Sequence, residues 1–147
     1  MKWLRASIVL LSLQAVSAGP QAAETAVRFE TVDVFVDTTD KALAAYQLEF
    51  FAGAGDAKIA GIEGGMHPAF ATPPYYDPKA MQQDRVILGA FTTNEATALP
   101  TGKTRVATIH LQTVGTPPDF QIRLQAAADA DGKTITAEAT FQERNTR

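Results

Sequence analysis

KTRVATIHLQTVGTPPDFQIRLQAAADADG (103–132) holds two strands and the breakers that end them. Lys103 to Val114 sets Ala107, Ile109 and Leu111 on one side, with Val106, Thr108 and His110 on the other. Side chains that alternate at period two belong to a half-buried strand. Gly115-Thr116-Pro117-Pro118 stops the strand. Phe120 to Ala128 then resumes the alternation, with Phe120, Ile122 and Leu124 facing in against Gln121, Arg123 and Gln125. Asp129-Ala130-Asp131-Gly132 reads as a hairpin turn, because Gly supplies the positive φ that such turns need.

Working outward, Thr134 to Phe141 continues with Ile135, Ala137, Ala139 and Phe141 in phase. Upstream, Arg85 to Thr92 carries Val86-Ile87-Leu88, an unbroken apolar run that predicts burial on both faces. Ala57 to Ile62 is a short strand, and Leu43 to Phe51 alternates Tyr46, Leu48 and Phe50 against Gln47 and Glu49. Val27 to Asp37 (VRFETVDVFVD) puts Val32, Val34 and Val36 on one face. Phe29 is out of phase with them, which predicts a bulge or change of face near Glu30. Seven such segments with turn signals between them read as an all-β chain, an antiparallel two-sheet β-sandwich of jelly-roll or Ig-like type.

Residues 64–84 (GGMHPAFATPPYYDPKAMQQD) break the rhythm. Prolines here forbid a regular strand, and Asp77 followed by Pro78 predicts a short turn of helix with Asp77 as its cap. Connections this long in a compact domain are often functional. Tyr75, Tyr76 and Asp77, bracketed by Pro73-Pro74 and Pro78, are therefore the first candidates for a binding site, with His67 beside them. The competing expectation is that one or both rings fold back and plug the end of the core.

The N-terminus has the order of an export signal. Lys2 and Arg5 precede a mostly apolar run, Ala6 to Val16, and Val16-Ser17-Ala18 offers small residues where a signal peptidase reads. The run is shorter than the roughly 20 residues of a membrane-spanning helix. Expected boundaries are a signal peptide over 1–18, a flexible segment over 19–26, one domain over 27–142 and a tail over 143–147. Cleavage after Ala18 would send the chain to the periplasm or the extracellular space, with no membrane insertion of the mature chain. It removes two basic groups, taking the net charge from −3 to −5. A mildly acidic chain is a poor partner for nucleic acid.

Cleavage also removes Ser7, Ser12, Ser17 and Trp3, and the sequence has no Cys. Serine and cysteine nucleophiles are then excluded. Two histidines remain, His67 and His110, far apart and without ligand spacing, so no metal or other cofactor is expected. Asp129, Asp131 and Glu138 have part of a calcium-loop spacing, but Ala127 stands at the first ligand position, and the hairpin alone explains Asp-Gly. Glu63, Asp77 and Asp84 form no glycosidase motif. The expectation is a protein that is not an enzyme.

The order of segments resembles the cohesin-like β-sandwich group, which shares its architecture with carbohydrate-binding modules. The likeness rests on Val32 to Val36, on LAAYQLEFFAGAGDAKIAGIEGG (43–65), and on RVILGAFTTNEATALPTGKTRVATIHLQTV (85–114) with Gly102, Ala107, Ile109 and Leu111. It implies a non-catalytic module of assembly, binding an envelope or extracellular protein through a sheet face. Its alternative implication is a polysaccharide ligand, for which Tyr75 and Tyr76 would replace the usual tryptophan platform. A metal-dependent enzyme, the remote alternative, would need His67 and His110 to converge.

Overall fold

The computed structural model describes residues 26–144. The export signal read over 1–18, the segment to residue 25 and residues 145–147 lie outside the described residues. Seven strands run in order: β1 Val27–Asp37, β2 Ala45–Ala52, β3 Asp56–Gly64, β4 Arg85–Phe91, β5 Lys103–Val114, β6 Phe120–Ala128 and β7 Glu138–Arg144. They form a four-stranded sheet, β3-β5-β1-β7, and a three-stranded sheet, β4-β2-β6, with every pairing antiparallel. Odd strands make one sheet and even strands the other, so each connection among the described residues passes between sheets. Among the described residues no helix is long and apolar enough to cross a membrane.

The alternation explains the core. Val32, Val34, Val36, Ile59, Ile109 and Leu111 of the larger sheet are buried in one cluster with Leu48, Phe50, Val86 and Leu88 of the smaller. Tyr46 crosses the interior to donate its hydroxyl to the Val106 carbonyl at 3.2 Å, and burial pushes its ionisation well above the usual phenol range. Phe120 meets Phe141 edge-on at 6.2 Å, which ties β6 to β7 across the layers.

Four expectations change in detail. The β1–β5 register is unbroken past Glu30, and Phe29 simply points outward; the bulge falls at Val34/Phe35, where Val106 is the extra residue on β5. That bulge turns Val106 and Ala107 both inward, so both are buried. Ile87 is exposed on the outer face of the smaller sheet, because β4 packs against the core on one face only. The Asp129–Gly132 turn forms, with Gly132 at φ 75° and Ala128 bridged to Thr134, yet the chain then leaves for the other sheet. Strand β7 therefore starts at Glu138, later than the alternation suggests, and runs to Arg144.

Residues 65–84 close one side of the sandwich. Gln82 and Gln83 exchange backbone hydrogen bonds with Ile59 at the β3 edge, 2.9 and 2.8 Å. Tyr75 exchanges two with Gly89 at the β4 edge, 2.7 and 3.0 Å. Both otherwise open edges are thus blunted by the same connection. The expected helical turn is present as a 3-10 turn, Pro78–Ala80, with the Asp77 carboxylate accepting from the Lys79 N–H. A second, Pro68–Phe70, seats Phe70 in the core against Tyr46.

Candidate functional site

The Tyr75–Gly89 bridge decides what the 64–84 connection presents. An extended segment sends neighbouring side chains to opposite sides. Pro74 and Tyr76 accordingly turn inward, where Pro74 is buried and Tyr76 packs against the core. Tyr75 turns outward and is 72% exposed. Each of the two fates weighed for the tyrosines applies to one ring.

Tyr75 stands beside Phe91, itself 65% exposed, with ring centroids 6.1 Å apart and planes 14° from parallel. Phe91 lies opposite Ala45 in the β2–β4 register, and Ala45 lies opposite Ala128 in the β2–β6 register. One step along, Gln47 faces Gly89 and Ala126. Small residues at these outward positions leave the sheet surface low beneath the two rings. The result is a shallow groove of about 380 Å³ on the outer face of the smaller sheet. Gln47 donates to the Gln125 amide oxygen at 2.5 Å on the same surface.

Four residues along β2 from Ala45, Glu49 points to the same outer face and is still only 6% exposed. Arg85 of β4 and Arg123 of β6 flank it; Arg85 is ion-paired to it and Arg123 lies 3.9 Å away. Their guanidinium stems account for the burial, since long cationic side chains cover what lies beneath them.

The other candidates lie apart from this groove. Asp77 caps its 3-10 turn and borders a separate depression with Lys79 and Arg85. His67 caps the Pro68–Phe70 turn, its Nδ1 accepting from the Ala69 N–H at 3.2 Å. His110 places Nε2 3.0 Å from Glu63 and Nδ1 3.3 Å from Thr31 on the larger sheet. Each imidazole thus has its own partners, and among the described residues no three His, Asp or Glu side chains gather as a metal site would require. The Asp129 carboxylate accepts from the Asp131 and Lys133 N–H groups, as a turn uses it.

The larger sheet carries a charged cluster on its outer face. Asp33 accepts from Arg144 at 2.5 and 2.6 Å, from Thr108 at 2.7 Å and from Arg105 at 3.3 Å. The Arg144 hydrogen bonds, helped by Thr108 and Arg105 and opposed by partial burial, hold the Asp33 carboxyl at about 2. These groups satisfy one another and tie β7, β1 and β5 together at one level.

Sequence reasoning found Tyr75 but missed Phe91 and the alanine floor. Phe91 sits in an ordinary strand pattern, and alanine at an outward strand position carries no signal of its own. Only the register brings them together. A scan against family models finds no match to this chain, and searches of curated proteins and of solved structures find none either.

Proposed function

We propose that this domain is a non-catalytic, exported binding module of cohesin type, which holds a protein partner on the outer face of the β4-β2-β6 sheet. One observation carries the reading: two large aromatic side chains, Tyr75 and Phe91, stand exposed and near-parallel over an apolar groove. Exposed aromatics of this kind are the side chains that dominate interface energies. Backbone hydrogen bonds to Gly89 hold Tyr75 in place before any partner arrives, which lowers the ordering cost of binding. The sequence supports the non-catalytic part, since Ser and Cys are absent beyond residue 17. Lys2, Arg5 and the Val16-Ser17-Ala18 site support export.

The test is a double substitution, Tyr75→Ala with Phe91→Ala, in immobilised protein used to capture envelope and extracellular proteins. Loss of both rings should weaken retention of the captured partner by about 2 kcal/mol or more, roughly 30-fold. Undiminished retention by the double variant would place the contact surface elsewhere.

A further inference from the structure

The same face has a second feature, and its charge runs against that of the chain. Among the outward residues of β2, β4 and β6, Glu49 is the one acid, against Arg85 and Arg123. The whole sequence carries a net charge of −3. Side chains of Arg85 and Arg123 are 62% and 72% exposed, and they share a single, nearly covered carboxylate. A guanidinium has five N–H donors, so donors remain for a ligand. Asp84 and Asp119 lie outside the strands, before β4 and β6 begin.

Resting on the binding-surface reading above, we infer that the partner is an acidic protein segment lying extended along β2. It lays an apolar side chain on the groove floor against Tyr75 and Phe91 and puts an aspartate or glutamate against Arg85 and Arg123. The register fixes the spacing. The groove centres on Ala45 and the arginines flank Glu49, four residues on, about 13 Å at the rise of a strand. An extended peptide covers that distance between side chains i and i+4. β2 lies between β4 and β6, so its backbone groups are paired and the segment is read by side chains alone. The floor of Ala45, Gly89, Ala126 and Ala128 favours an apolar side chain over a sugar, whose hydroxyls would lose water there without replacement.

The experiment titrates the 15N-labelled protein with the blocked peptides Gly-Trp-Gly-Gly-Gly-Glu-Gly and Gly-Trp-Gly-Gly-Gly-Gln-Gly, and with an oligogalacturonate. Both peptides should move the amide signals of Ala45, Gly89 and Ala128. The glutamate peptide should bind tighter by up to about five-fold, the upper end for an exposed ion pair. Arg123→Gln, which leaves Glu49 paired to Arg85, should reduce that preference, as should 1 M salt. Equal affinity of the two peptides overturns the acidic partner while leaving the groove as a binding surface. Failure of both peptides to move the groove signals overturns the surface itself. Tighter binding of the oligogalacturonate overturns the peptide in favour of a polysaccharide.

Discussion

Because the Tyr75–Gly89 bridge holds residues 74–76 extended, two adjacent tyrosines acquire different physical roles. Tyr76→Ala removes a ring packed on the core and should cost about 2–3 kcal/mol of stability, below the full cost for a wholly buried aromatic. Tyr75→Ala removes an exposed ring and its stack on Phe91, and should cost less than about 1 kcal/mol. Thermal melts of the two single variants test this; equal losses would mean that the bridge does not set the two side chains as described. Asp33 gives a second prediction at this scale. Its carboxyl sits at about 2 in the folded chain, against the ordinary 3.8. A depressed folded value stabilises fully above pH 4 and is lost as pH falls from about 4 through 2. Unfolding free energy should therefore fall across that window, and Asp33→Asn should flatten the fall. At neutral pH the same change should cost about 1–3 kcal/mol, because Arg105, Arg144 and Thr108 lose a charged acceptor.

The elements show what periodicity can and cannot reach. Alternation, or for β4 an apolar run between turn signals, located all seven strands. It overextended β7 because Ile135 and Ala137 still pack against the core while their backbone crosses between sheets. It misjudged Ile87 because a run of three apolar residues looks alike whether one face or two are covered. The role of the 65–84 connection was hidden for a different reason. Its edge-blunting hydrogen bonds come from Tyr75, Gln82 and Gln83 backbone, which no side-chain pattern encodes. Glycine did leave a trace. A Cβ on Gly64 would collide with the Ala71 carbonyl, and one on Gly65 with that of Arg105, so the chain leaves β3 where only glycine fits. Gly65→Ala should cost about 1–3 kcal/mol through displacement of the β5 backbone. Amide exchange should rise with it at Ile59 and Gly89, the edge residues held by the connection; protection unchanged at both would separate the Gly64-Gly65 exit from the closure of the sandwich edge.

At the scale of the whole molecule, the strand order makes folding a late event. β1 is central in its sheet, but its partners are β5 and β7, so neither sheet neighbour exists until most of the chain is available. Loop closure over such separations is slow. A chain that is slow to close suits export, which we propose from the N-terminal pattern, because it stays unfolded while a signal segment is read. The same sequence has no cysteine, so no disulfide staples the fold. Exported material should begin at Gly19 by N-terminal sequencing or intact mass, and full-length protein retained in the cytosol would count against export. The mature domain should melt at the same temperature with and without reductant. A chelator should also leave that temperature unchanged, because Asp129 caps its own turn and His67 and His110 are engaged with Ala69 and with Glu63 and Thr31. A drop of several degrees on chelation would mean that these groups rearrange around an ion, and would move the metal-dependent reading ahead of the binding module.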